Sequence, residues 1–194
     1  MKYLYLILLV FILGFTACND DDVPAAENEE EVIDQVILTF SPVSGGSDIV
    51  ATALDPDGEG AADFTKTPIN LSMSETYVLT LEINNVALGE SISAEVKAEA
   101  EEHMFFYEFT SGLFSSPTGN GNVDNREDVV NYDTSENDSN GQPLGITTIW
   151  ETSSTASAGT FRLLLKHQPN IKSASSTAQD GETDLDITFD ISVN

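Results

Sequence analysis

The chain has 194 residues, 33 of them Asp or Glu and only 7 Lys or Arg, for a net charge of −26. Such acidity argues against nucleic acid as a partner and against electrostatic docking on anionic lipid. A single cysteine, Cys18, excludes an internal disulfide, so a folded domain here rests on its hydrophobic core, which a chain of this length can supply.

Met1 and Lys2 form a short positive segment, and Tyr3 to Phe15 is an apolar run too short to span a bilayer as a stable helix. It reads as an export signal. Phe15-Thr16-Ala17-Cys18 resembles the lipobox of bacterial lipoproteins, with Phe15 where Leu is more usual. The expectation is cleavage before Cys18, lipidation of its thiol and a signal peptide over 1–17. Firm anchoring then requires more than one acyl chain. Residues 18–31, with Asp20-Asp21-Asp22, Glu27 and Glu29-Glu30-Glu31, read as an acidic, solvated tether. An acidic cluster behind the lipid cysteine resembles the export signal of Bacteroidota lipoproteins. It implies the outer membrane and its cell-surface side, the periplasmic face being the alternative.

From residue 32 to 194 the pattern is one domain of short alternating strands between turn clusters. Val36, Leu38 and Phe40 share one face, Ile49, Ala51 and Ala53 a second strand, Ile69 and Leu71 a third, and Tyr77, Leu79, Leu81 and Ile83 a fourth. Ser91 to Glu102 breaks the alternation with Ala and Glu, predicting a helix of about three turns with Ile92, Val96 and Ala100 as its stripe. His103, Phe105, Tyr107 and Phe109 then face one way, Met104 and Phe106 the other, predicting a central strand. Ile146 to Trp150 and Gly159 to His167 follow. Leu185, Ile187, Phe189, Ile191 and Val193 alternate with polar residues in the last strand, which places Asp184 and Asp186 on its solvated face. About eight or nine strands with one short helix predict an all-β, immunoglobulin-like β-sandwich, with a β-barrel as the alternative.

Two constellations point to metal. His103 and His167 both end strands, and if those strands pair, the imidazoles meet at one rim with Glu99 or Glu102 beside them. Imidazole and carboxylate are the donors zinc and other divalent transition metals take. Asp55, Asp57 and Glu59 match the opening of a calcium loop, but Lys66 stands where the bidentate Glu belongs. A weaker calcium site completed by Asp63 remains, and Asp133, Glu136, Asp138 and Asn140 form a similar oxygen-rich turn. Catalysis finds little support: there is no Gly-x-Ser-x-Gly elbow, no free thiol once Cys18 is lipidated, and no phosphate-binding glycine loop. Trp150, Tyr107 and Tyr132 read as core aromatics before they read as a carbohydrate platform.

The signal and acidic tether, the Asp-x-Asp-Gly turn at 55–58, Glu102-His103-Met104-Phe105-Phe106-Tyr107, Asn140-Gly141-Gln142-Pro143-Leu144-Gly145, Leu165-Lys166-His167-Gln168-Pro169-Asn170 and Gly181-Glu182-Thr183-Asp184 together resemble one family. It is the set of small flavobacterial lipoproteins often labelled type 1 periplasmic binding fold superfamily proteins. Met104 departs from the Gln common there. The resemblance implies an accessory of a TonB-dependent receptor in nutrient uptake, with Glu102, His103 and His167 at a metal or ligand site. The two doubly wound lobes that the label implies do not fit a chain of strands. The sequence thus predicts a non-catalytic surface binding module, the alternative being a structural or adhesive lipoprotein without a small ligand.

Overall fold

The computed structural model describes residues 32–55, 64–123 and 130–194. The described chain is an all-β sandwich of two sheets with one short helix, and neither sheet closes into a barrel. Among the described residues eleven strands are present, more than the eight or nine expected, because the pieces at 65–66, 114–116 and 131–132 are too short to carry a periodicity.

The first sheet joins β3 (Thr65–Lys66), β2 (Ile49–Leu54), β1 (Gln35–Pro42), β5 (Thr76–Asn84), β9 (Thr147–Thr152) and β7 (Phe114–Ser116) in that order, with β8 (Asn131–Tyr132) also on β9. The second runs β4 (Ile69–Leu71), β11 (Glu182–Val193), β10 (Ser157–His167) and β6 (His103–Phe109). Only the β4–β11 pair is parallel in that sheet.

Alternation decides which residues meet between the sheets. Val36, Leu38 and Phe40 from β1 and Leu79 and Ile83 from β5 are fully buried, opposite Phe161, Leu163 and Phe189 of the second sheet. At the centre stands Trp150, with ring centroids 4.7 Å from Phe114, 5.1 Å from Phe161 and 5.5 Å from Tyr107. Its indole N–H donates to Thr148 Oγ1 at 2.7 Å, and the Tyr107 hydroxyl donates to the Gly145 carbonyl at 2.6 Å. Both aromatics therefore bury polar atoms that are satisfied, as a core requires. They are packing residues and form no platform.

The aromatic strand β6 is an edge, not the central strand its two apolar faces predict. Loops supply what neighbouring strands would have supplied. Phe105 N–H donates to Leu144 O, Phe109 N–H to Asn120 O and Tyr107 N–H to the Asn122 side chain, while Asn122 N–H returns a bond to Tyr107 O. The outward Met104 and Phe106 are covered in a second small cluster with Leu164, Val123 and Ala178. A covered edge presents no open ladder for a further strand.

Candidate functional site

The helix α1 (Ile92–Ala98) has seven residues, shorter than the three turns expected. Ser91 makes no side-chain cap, and a helix this short persists only by packing. Ile92 and Val96 are buried, and Ser93 Oγ accepts the Ile83 N–H at 2.7 Å. Ala100, predicted as the third member of the stripe, lies beyond the helix in the turn before β6.

That turn, residues 99–102, builds the site. The carbonyls past a helix end need partners, and basic groups are favoured there. Here the Glu99 carbonyl accepts from His103 Nδ1 at 3.2 Å, Ala100 from Lys172 Nζ at 2.5 Å, and Glu102 from the Gln168 N–H at 2.5 Å. One turn thus fastens the start of β6 to the end of β10 and the loop beyond it.

The two histidines meet as their positions predict. His103 and His167 are directly opposite in the β6–β10 register, and their rings stack with centroids 4.7 Å apart and planes 19° from parallel. Both are nearly buried, at 2 % and 5 % exposure. Glu102 Oε2 lies 3.3 Å from His167 Nε2. The Glu99 carboxylate is 4.0 Å from His103 Nδ1 and 59 % exposed, so its backbone carbonyl is the stronger partner.

A carboxylate that alternation places in solvent completes the group. A bulge between Leu165 and Lys166 pairs Leu165 with Leu185 and Lys166 with Thr183, skipping Asp184. Freed from the pleat, Asp184 turns inward to 4 % side-chain exposure, with Oδ2 3.7 Å from His103 Nε2. Burial pushes the His103 imidazole down to about 4, against the raising effect of its bond to the Glu99 carbonyl and with His167 adding to the depression. The ring is neutral at pH 7, and the Glu99 carbonyl assigns its proton to Nδ1.

Near-parallel stacked rings do not aim their in-plane lone pairs at one point, as a shared tetrahedral metal requires. Among the described residues no three His, Cys, Asp or Glu side chains converge on a common centre. As arranged, His103, His167, Glu99 and Glu102 form two imidazole–carboxylate contacts side by side and do not make a metal cage.

Beside the pair lies a cleft of about 520 Å³ lined by Lys97, Glu99, Glu101, Glu102, Asn137 and Asp138. Asp138, one of its lining residues, is ion-paired with Lys172, 3.0 Å apart with both side chains 1 % exposed. Asp138 Oδ1 also accepts the N–H groups of Asn140 and Gln142 at 2.9 and 2.8 Å. Burial works to raise this carboxyl, but the Gln142 N–H and Lys172 outweigh it and hold it below its usual range.

The oxygen-rich turn at 133–140 is thereby accounted for. Asp133 caps Ser135 N–H, Glu136 accepts the Thr147 N–H, and Asp138 is taken as above, so these carboxylates serve the chain itself. Of the calcium candidates only Asp55 is described. It is 4 % exposed, its N–H donating to Asp34 O at 2.8 Å. Asp57, Glu59 and Asp63 lie outside the described residues, as does Cys18.

Sequence reasoning missed Asp184, Lys172 and Gln168. Only a bulge moves Asp184, and Lys172 sits in a polar loop with no pattern to flag it. No family model, no curated protein and no solved structure matches the chain.

Proposed function

We propose that this protein is a lipid-anchored, non-catalytic binding module of the bacterial outer surface, accessory to a TonB-dependent receptor in nutrient uptake. The observation that carries the reading is a coincidence of position. The chain enters the domain just ahead of β1, and β1 starts at the end of the sandwich where β5 stops, Gln35 facing Asn84. The loop 86–89, α1, the stacked histidines and the 520 Å³ cleft follow at that same end, tied to it by Asp34, which accepts the Val86 and Ala87 N–H groups at 2.7 and 2.9 Å. Val86 and Leu88 stand out from it at 53 % and 70 % exposure. A module tethered through residues 18–31 thus carries its polar cleft and its most exposed apolar loop towards whatever shares its membrane.

Zinc or another transition metal is the cargo version of this reading. The donor types suit it, but the rings must first rotate out of their stack. Two experiments test the anchored module. Radiolabelled palmitate is incorporated by the wild-type chain and lost in Cys18→Ser. Proteinase added to intact cells degrades the mature domain; full protection overturns the outward-facing orientation.

A further inference from the structure

Lys172 and Asp138 are unusual beyond their burial. Their contact joins a loop after β10 to a turn before β9, beside the cleft that Asp138 lines, in a chain with 7 cationic side chains in all. Asp138 Oδ1 is held by two backbone N–H groups, at 2.9 and 2.8 Å. Among the described residues Oδ2 accepts no hydrogen bond from any group apart from its 3.0 Å contact with the Lys172 ammonium. Nζ is oriented by a further bond to the Ala100 carbonyl. A carboxyl with one oxygen fixed by paired N–H donors and the other against an amine is an arrangement for acyl transfer, because those donors stabilise the oxyanion of a tetrahedral intermediate. Exclusion of water, with both side chains at 1 % exposure, disfavours the reverse hydrolysis.

We propose that Lys172 and Asp138 condense in the folded protein into an intramolecular amide crosslink. The step needs no external reactant. The ammonium passes one proton to Oδ2, leaving a neutral amine beside a carboxylic acid. The Nζ lone pair forms a bond to Cγ, the Cγ–Oδ2 bond breaks, and Oδ2 departs as water with that proton and a second from Nζ. The amide nitrogen keeps one hydrogen. The bonds to Asn140, Gln142 and Ala100 survive: Oδ1, now the amide oxygen, still accepts from Asn140 and Gln142, and the remaining Nζ–H still donates to Ala100 O. The product ties the 137–142 turn covalently to the loop beyond His167, and a covalent tie of this kind restricts the unfolded chain. The inference is independent of what the rim binds.

The test is peptide mapping of the full-length protein after denaturation and trypsin. Acylated Lys172 is not a trypsin site, so the expected product is a branched peptide joining residues 127–162 to residues 167–194, lighter by one water than the two chains. Lys172→Arg, which keeps the charge, and Asp138→Ala each abolish the branch. The proposal is overturned if folded wild-type protein, shown by cooperative thermal unfolding and aged at neutral pH, yields only the linear fragments 127–162, 167–172 and 173–194. A branch that persists in either variant overturns the assignment to this pair.

Discussion

His103 and His167 face each other across β6 and β10 with their rings 4.7 Å apart, and each has a carboxylate at its Nε2: Asp184 at 3.7 Å and Glu102 at 3.3 Å. The stack closes one end of the sandwich with aromatic surface. A proton on His103 would sit in a buried site beside a second imidazole.

Stability follows from that placement. His103 titrates at about 4 in the fold and near 6.5 in the unfolded chain. Between those values the unfolded state binds the extra proton, so stability is retained above pH 6.5 and lost as pH falls towards 4. The shift corresponds to roughly 3 kcal/mol. His103→Asn keeps a donor for the Glu99 carbonyl but does not titrate. Urea unfolding across this window should show the wild type losing about 3 kcal/mol more than the variant. Equal losses contradict a buried, neutral His103.

The covered edge of β6 depends on Gly121. It lies at φ +97°, and a Cβ there would stand 2.1 Å from the Tyr107 carbonyl oxygen. Gly121→Ala should destabilise the fold by roughly 2 kcal/mol through strain and displacement. It also strips Asn120 and Asn122 from the edge, so amide exchange at Tyr107 and Phe109 should accelerate before that of β10. Unchanged protection at both amides would contradict the capping role.

On the outer face of the second sheet Arg162 donates to both oxygens of Asp186 at 2.7 Å and to Glu108 at 2.9 Å. The Glu108 and Asp186 carboxylates are 39 % and 44 % exposed, so solvent screens much of the attraction. Arg162→Met is expected to cost about 1 kcal/mol or less at low salt, shrinking further in 1 M salt. A larger, salt-independent loss would indicate packing by the arginine stem instead.

Zinc titration separates the two uses of the histidines. With the rings stacked, binding requires rearrangement, so affinity should be weak and should fall in both His103→Ala and His167→Ala. Tight stoichiometric binding with affinity unchanged in both variants would remove the rim as the metal site.

Much of this fold was legible because burial follows alternation wherever one sheet face meets the other. Val36, Leu38 and Phe40, or Leu185 to Val193, needed only the period of two. The meeting of His103 and His167 was legible for the same reason, since both end strands with the same face inward. The rest depended on irregularity. Asp184 is inward only because a bulge breaks the β10–β11 register. The edge position of β6 was hidden because loop residues such as Val123 and Ala178 bury Met104 and Phe106 as a neighbouring layer would. Lys172 and Asp138 are far apart in sequence and meet only through the turn at 99–102 and the end of β10.

In the proposed function the end of the sandwich bearing the histidine rim faces the partner. A photo-crosslinking amino acid placed at Leu88, 70 % exposed at that end, is compared in living cells with one at Val43, 63 % exposed at the other. The expected result is a crosslink from position 88 to a TonB-dependent receptor, identified by mass spectrometry, and none from position 43. Receptor crosslinks from position 43 alone, or none from either position in cells that express both proteins, would contradict it.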